Sequence, residues 1–196
     1  ALKQRADIQP GETLLVLGAA GGVGTTAIEL GKLMGARVIA SAGSDERAAA
    51  CRALGAEASI NYKTQDVAEE LRKVAPAGAN VFWETTREPD FDAAVDMLAA
   101  RGRMVVMAGR DARPGFPVGP FYVKECSLHG FVMFKATPDE QRICARDINR
   151  WLAAGRIEAR IDREMPLSEA AAAHQLQEEN TIHGAGTLAG KIVLRP

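Results

Sequence analysis

Gly21, Gly22 and Gly24 stand close together in the segment VLGAAGGVGTT at residues 16–26, after a short apolar run. They remove Cβ atoms where the residue pattern changes from that of a strand to that of a helix. The first N–H groups of a helix have no partner within the helix and, together with the helix dipole, favour a bound phosphate. Gly21 would let a phosphate approach the backbone, and Gly24 would let the helix pack closely on the sheet. The segment therefore predicts a diphosphate site at a strand–helix turn.

Two kinds of nucleotide site use such a glycine turn. The spacing from Ala19 to Gly24 is a variant of the G-x-G-x-x-G motif of dinucleotide-binding domains, with Ala19 at the first glycine. The phosphate loop of some ATPases also contains G-G-V-G, but it continues with a lysine that reaches the phosphates and a threonine that holds magnesium. Here Thr25 stands where that lysine would be. The motif favours a dinucleotide, with a deviant ATPase as the alternative.

Strand and helix patterns alternate along the chain. We predict strands at 13–17, 37–41, 58–62, 80–83, 103–108, 126–134 and 191–194, and helices at 23–34, 45–54, 65–74, 91–99, 137–154 and 168–178. Residues 110–120, with three prolines, are predicted as loop. The alternation indicates an α/β fold, a Rossmann-type doubly wound parallel sheet with helices on both faces.

Such a sheet binds its ligand at the carboxyl ends of the strands. The glycine turn and the loops after the second, fourth and fifth strands therefore supply candidate contacts to the cofactor. These are Ala20, Gly21, Gly22, Val23, Gly24, Ser41, Gly43, Ser44, Thr85, Ala108 and Gly109.

The end of the second strand distinguishes NADPH from NADH. An NAD enzyme places Asp or Glu there to bind the ribose hydroxyls, whereas this chain has Ala42. A carboxylate would repel a 2′-phosphate, while Ser44 can donate a hydrogen bond to it and Arg47 a charge-assisted one. We therefore predict NADPH. The alternative is that Asp45 or Glu46 binds the ribose, although Ser44-Asp45-Glu46 fits a helix cap at Ser44 and a first turn in which acidic residues are expected.

Composition narrows the class of partner. The 196 residues carry a formal net charge of −1, so no basic surface indicates nucleic acid or anionic lipid. The longest apolar runs are strand-length, far below the roughly 20 residues of a membrane helix. Cys51, Cys126 and Cys144 are scattered without a C-x-x-C pair, and the histidines are dispersed, so we expect no disulfide and no metal site. This cysteine usage favours a reducing compartment, and we expect a cytoplasmic protein.

An ordered series of segments resembles one known family. The segments are IQPGETLLVLGAAGGVG, LGAEASINYKTQDV, GRMVVMAGR, KECSLHGFVMF and ENTIHGAGTLAGKIVL. The chain resembles the zeta-crystallin-like quinone oxidoreductase branch of the medium-chain dehydrogenase/reductase superfamily, to which the zinc-type alcohol dehydrogenases also belong. The resemblance implies a zinc-independent enzyme that transfers hydride from NADPH to a small molecule, a quinone or an α,β-unsaturated carbonyl compound. A non-catalytic NADPH-binding module, a sensor or structural protein, is the alternative.

The resemblance also assigns residues that spacing does not. It implies that Tyr62 lies beside the 2′-phosphate and that the backbone of Phe131, Val132 and Phe134 contacts the nicotinamide. Lys191 resembles a late family lysine near the active site, with a plain surface lysine as the alternative. The segment FWETTREP departs from the D-P-V-G-G that relatives carry after the fourth strand.

Family members carry a β-rich, GroES-like catalytic domain ahead of a segment like this one. We therefore interpret residues 1–196 as the dinucleotide-binding domain and residues 180–196 as the segment that would return to the catalytic domain. We expect this chain alone to be catalytically incomplete, and we assign no catalytic residue.

The predicted strand at 126–134 has a second role. In the family the sixth strand of one sheet pairs antiparallel with its copy, and this segment is apolar enough to be a liability as a bare edge. We therefore expect a homodimer. In the helix at 137–154 we predict that Ile148, Trp151 and Leu152 belong to the core.

Overall fold

Six parallel strands form the central sheet of the protein. The structure, a computed structural model, describes residues 1–188 and 190–196. The strands are β1 Thr13–Val16, β2 Arg37–Ala42, β3 Ala58–Asn61, β4 Ala79–Glu84, β5 Leu98–Val106 and β6 Ser127–Gly130. Their spatial order is β3-β2-β1-β4-β5-β6, with each neighbouring pair parallel. This order is that of a Rossmann fold, so the predicted fold class is confirmed.

Seven helices follow or connect these strands in the described residues. They are α1 Gly22–Leu33, α2 Asp45–Ala53, α3 Val67–Val74, α4 Phe91–Met97, α5 Val118–Val123, α6 Pro138–Ala153 and α7 Ala170–Thr181. The start of α6 has a capping box: the Glu140 N–H donates to Thr137 Oγ1, and the Thr137 N–H donates to the Glu140 carboxylate. No helix in the described ranges is long and apolar enough to cross a membrane.

The centre of the sheet is buried on both faces. Leu14 lies in the core cluster that contains α1 and α2, while its neighbour Leu15 lies in the opposite cluster with α3 and α4, because successive strand residues point to opposite faces. Both leucines are fully buried. Continuous apolar runs such as TLLV are therefore typical of a parallel sheet covered by helices on both sides.

Two predicted boundaries near the sheet edge are wrong. The strand predicted at 126–134 covers only Ser127–Gly130, and Met133–Lys135 forms a short 3₁₀ helix. The N–H of Phe131 still donates to Val106, but β5 ends there, so the following residues have no strand to pair with. Within the predicted loop, α5 begins at Val118, since a proline in the first helical turn removes no hydrogen bond that the helix needs.

A second sheet has two strands, β7 Ile161–Pro166 and β8 Lys191–Arg195, which pair in parallel. The residue pattern predicts β8 but not β7, because the sequence IDREMP of β7 lacks apolar alternation. The predicted core position of the α6 residues is also wrong: Ile148 is 39% and Leu152 47% exposed.

Candidate functional site

The turn after β1 brings α1 against its own backbone. A Cβ on Gly24 would lie 2.5 Å from both Ala19 Cα and the Gly18 carbonyl oxygen. Backbone atoms cannot move aside as a flexible side chain can, so this position requires glycine. A Cβ on Gly21 would lie 3.3 Å from the same carbonyl oxygen. The predicted tight turn is therefore present, with α1 packed on the residues that follow β1.

The N-terminus of α1 has the donors that an anion needs. Gly21 is the N-cap residue and supplies no side-chain acceptor, and the first turn contains no acidic residue. The N–H groups of Gly22, Val23 and Gly24 have no hydrogen-bond partner among the described residues. Because these groups point out of the helix end, where its dipole is positive, they fit a phosphate.

Thr25 does not support the ATPase alternative. Its hydroxyl donates to the Gly22 carbonyl at 3.4 Å, and the residue is buried. It therefore does not supply the positive charge of the missing lysine.

Lys191 adds a positive charge at the same helix end. A Cβ on Gly22 would lie 2.9 Å from Lys191 Nζ, so the ammonium group lies beside the first turn of α1. Lys191 forms no ion pair with another described residue. The position of this lysine follows from the pairing of β8 with β7, which sequence analysis did not predict.

The end of β2 has the predicted small, uncharged residues. Ala42 is buried and closes the strand. Ser44 caps α2, since its hydroxyl accepts a hydrogen bond from the Arg47 N–H at 3.2 Å. The Asp45 carboxylate accepts from Asn61 Nδ2 at 2.8 Å and is thus already engaged, which weakens its interpretation as a ribose ligand.

Tyr62 and Arg47 extend this part of the site. A Cβ on Gly43 would lie 2.6 Å from the Tyr62 hydroxyl oxygen, so the tyrosine lies over that glycine. Arg47 is half-buried, and its Nη2 donates to the Gly186 carbonyl at 2.9 Å. The structure therefore brings Gly43, Ser44, Arg47 and Tyr62 together at the carboxyl ends of β2 and β3. Gly186 was missed, because no local pattern links it to Arg47.

The loops after β4 and β5 lie on the other side of the glycine turn. Thr85 Oγ1 donates to the Leu17 carbonyl at 3.2 Å and ties the β4 loop to the end of β1. Glu84 is buried, and its carboxylate accepts from the Thr86 N–H at 2.6 Å. Gly109 has a φ of +78°, and a Cβ there would lie 3.0 Å from the Arg87 carbonyl oxygen. The two loops are therefore in direct contact.

The candidate residues after β6 make fewer contacts with the other candidate residues of the site. Phe131 packs against the core, whereas Val132 is 50% and Phe134 85% exposed. No hydrogen bond in the described structure links Val132 or Phe134 to the other candidate residues.

The cysteines have the properties of packed thiols. Burial raises the pKa of Cys51 to about 11, and burial also raises the pKa of Cys126. Both thiols therefore stay protonated near neutral pH. In the part of the chain that the structure describes, no group of three or more His, Cys, Asp or Glu residues could hold a metal ion.

Known proteins are similar to this chain in both sequence and fold. The zinc-binding dehydrogenase family model matches residues 22–148. The 2-haloacrylate reductase of Burkholderia sp is 29% identical over 205 residues, which cover 100% of this chain and 59% of the relative. The quinone oxidoreductase of Homo sapiens is 28% identical over 195 residues, which cover 99% and 57%.

Solved structures of similar proteins have the same fold as this chain. A 2-haloacrylate reductase superposes with a TM-score of 0.87 at 27% identity, covering 100% of this chain and 61% of that one. The Escherichia coli quinone oxidoreductase complexed with NADPH gives a TM-score of 0.83 at 25% identity, covering 100% and 60%. The chain thus spans less than two thirds of the length of these relatives.

Proposed function

Because the chain belongs to the zinc-binding dehydrogenase family, we propose that it is the NADPH-binding domain of an oxidoreductase that reduces quinones or α,β-unsaturated carbonyl compounds. The observation that carries this proposal is the N-terminus of α1, where three N–H groups have no partner in the described part of the chain and the first turn contains no acidic residue. Bound NADPH would supply a hydride at C4 of its nicotinamide. The residues of this chain bind and orient the cofactor for that transfer.

Gly22, Val23 and Gly24 hold the diphosphate through their N–H groups, and Lys191 contributes a positive charge beside them. The hydrogen-bonding donors are backbone groups fixed by the turn, so their orientation does not depend on side-chain rotamers. This rigidity favours a reproducible cofactor position.

In this proposal the 2′-phosphate binds to the side chains of Arg47, Ser44 and Tyr62. Ala42 places no carboxylate at the end of β2, and Asp45 is hydrogen-bonded to Asn61. The Arg47 guanidinium therefore favours NADPH over NADH, since a phosphate gains a charge-assisted hydrogen bond that a ribose hydroxyl does not match.

The nicotinamide half lies across the carboxyl ends of β4, β5 and β6. In this proposal Thr85, Ala108 and Gly109 line its path, and the backbone of Phe131, Val132 and Phe134 contacts the ring. The strand order gives the direction in which the cofactor would lie along the sheet. With the proposed 2′-phosphate site at β2 and β3, the nicotinamide half would extend to the opposite side of β1.

Groups that stabilise the developing negative charge on the substrate are proposed to lie outside residues 1–196. The relatives are longer than this chain, and their remaining residues offer room for a GroES-like catalytic domain, to which residues 180–196 would return. Hydride transfer to a carbonyl-conjugated carbon needs a donor that stabilises the enolate oxygen. The chain alone therefore binds the cofactor but turns over slowly.

The proposal is tested by binding to the chain as it stands. Intrinsic tryptophan fluorescence is titrated with NADPH, NADH and Mg-ATP at low salt, with Trp83 near α1 as one reporter. We expect saturable binding with NADPH tightest and Mg-ATP weakest. Tighter binding of Mg-ATP would contradict the proposal, and efficient reduction of a quinone by this chain would contradict its catalytic incompleteness.

A further inference from the structure

We propose that the main-chain carbonyl of Gly186 positions the Arg47 guanidinium for the 2′-phosphate, so that the loop at residues 183–187 helps to set cofactor specificity. We call this segment the C-terminal loop. The inference rests on the proposed function and adds a positioning group to it. Its basis is the hydrogen bond that Arg47 Nη2 donates to the Gly186 carbonyl at 2.9 Å.

The partner of Arg47 is a carbonyl and not a carboxylate. Arg47 forms no ion pair with any residue that the structure describes. A carbonyl orients the planar guanidinium without neutralising its charge, whereas a carboxylate would compete with a phosphate for it. The guanidinium has five N–H donors, and the hydrogen bond to Gly186 uses one. Arg47 therefore keeps its full charge and most of its donors for a ligand.

Orientation before binding has a consequence for affinity. A free arginine side chain samples many rotamers and loses that freedom when a phosphate fixes it. Because the Gly186 carbonyl already restricts Arg47, less freedom remains to be lost when the 2′-phosphate arrives. NADH, which has no 2′-phosphate, gains nothing from this restriction. The contact therefore acts on the ratio of the two affinities.

A methyl group on Gly186 would crowd the Arg47 guanidinium. Gly186 has a φ of +68°, and a Cβ there would lie 3.2 Å from Arg47 Nη2. The guanidinium would have to shift by a few tenths of an ångström, which changes the geometry of its hydrogen bond to the carbonyl. Gly184, in the same loop, has a φ of +67° but no atom within 4 Å of its Cβ position. The two glycines have nearly the same φ, and of the two only Gly186 lies close to Arg47.

The test compares Gly186→Ala with its matched control Gly184→Ala. Dissociation constants for NADPH and NADH are measured for both variants, for Arg47→Ala and for the double variant. We expect Gly186→Ala to weaken NADPH binding about threefold to tenfold relative to Gly184→Ala, as for one lost hydrogen bond, with NADH binding unchanged. In the Arg47→Ala background the Gly186→Ala change should have no further effect.

The outcomes separate the two proposals. If Arg47→Ala lowers NADPH affinity selectively but Gly186→Ala behaves like Gly184→Ala, the positioning role is overturned and the proposed function stands. Tighter NADPH binding by Gly186→Ala would also overturn it, because the carbonyl would then compete with the phosphate. If Arg47→Ala leaves the ratio of affinities unchanged, the assignment of Arg47 fails, and the role of Gly186 fails with it.

Discussion

Lys191 Nζ lies beside Gly22, 2.9 Å from the position that a Cβ of that glycine would occupy. One residue belongs to the last strand of the chain and the other to the first turn of the first helix. Their proximity places an ammonium group next to the first N–H groups of α1, and within residues 1–188 and 190–196 neither has an ion-pair or hydrogen-bond partner. A chain segment distant in sequence therefore completes the charge of the proposed diphosphate site.

Lys191→Gln should weaken the binding of NADPH and NADH equally, because both cofactors contain the diphosphate. We expect a loss on the order of twofold to fivefold at low salt, as for an exposed ion pair, and a smaller loss at high salt. Isothermal titration at two ionic strengths measures it. Lys73→Gln, which removes an exposed charge on α3, is the control and should leave both affinities unchanged. A loss confined to NADPH would instead place Lys191 at the 2′-phosphate.

Gly24→Ala should destabilise the protein, because its Cβ would lie 2.5 Å from the Ala19 backbone. Overpacking against backbone costs about 1–3 kcal/mol, and moving α1 also moves its N–H groups. We expect a lower midpoint of urea unfolding and weaker binding of both cofactors. Gly115→Ala, where no atom lies within 4 Å, is the matched control. Equal stability of the two variants would show that the turn can relax.

The parts of the site that could be predicted from sequence are those built from neighbouring residues. The glycine turn and the cap of α2 by Ser44 depend on a few consecutive residues, and their patterns were sufficient. The contact of Arg47 with Gly186 and that of Lys191 with Gly22 depend on how distant segments pack, which no periodicity encodes.

The predictions of the end of β6 and of the burial of α6 residues were wrong for a related reason. The end of β6 is set by where its partner β5 ends, and this information lies in another segment. Ile148 and Leu152 are apolar and helically spaced, which predicts burial, yet the rest of the described chain does not cover them. An apolar helix face indicates that something packs on it, but it does not say what.

Lowering the pH should reduce the stability of the fold, because Glu12 loses its charge. Burial acts to raise its pKa, but hydrogen bonds from Arg103 and the Gln9 N–H outweigh burial, so the pKa of Glu12 is lowered. A lowered pKa stabilises the fold above the unfolded-state value near 4.5, and this contribution is lost as the pH falls through the folded-state value. We expect Glu12→Gln to lower the free energy of unfolding by about 1 kcal/mol at pH 7.

The difference between Glu12→Gln and the native chain should shrink as the pH falls below about 4.5, since a protonated Glu12 and the glutamine that replaces it are both uncharged. Urea unfolding from pH 7 to pH 3 measures it. Glu88→Gln, at an exposed carboxylate of the loop after β4, serves as the control. A difference that is constant over this range would mean that the ion pair with Arg103 contributes nothing to stability.

The homodimer that we propose depends on the free edge of β6. Among the strands of the described residues, only β5 pairs with β6, and Leu128 is 41% exposed. Because the Phe131 N–H points to β5, the two-residue repeat turns the N–H of His129 to β5 and that of Leu128 to the free edge. Antiparallel pairing with a second copy would satisfy the free edge by two-fold symmetry.

Leu128→Pro removes a donor from the free edge, and it removes none from the pairing with β5. We therefore expect this variant to be a folded monomer, while the native chain is a dimer at micromolar concentration. His129→Pro removes a donor from the β5 pairing and should lower the midpoint of thermal unfolding, which Leu128→Pro changes less. Size-exclusion chromatography with light scattering gives the oligomeric state, and circular dichroism gives the melting curves. A native chain that is monomeric under these conditions, or a Leu128→Pro variant that remains dimeric, would place the dimer contact elsewhere.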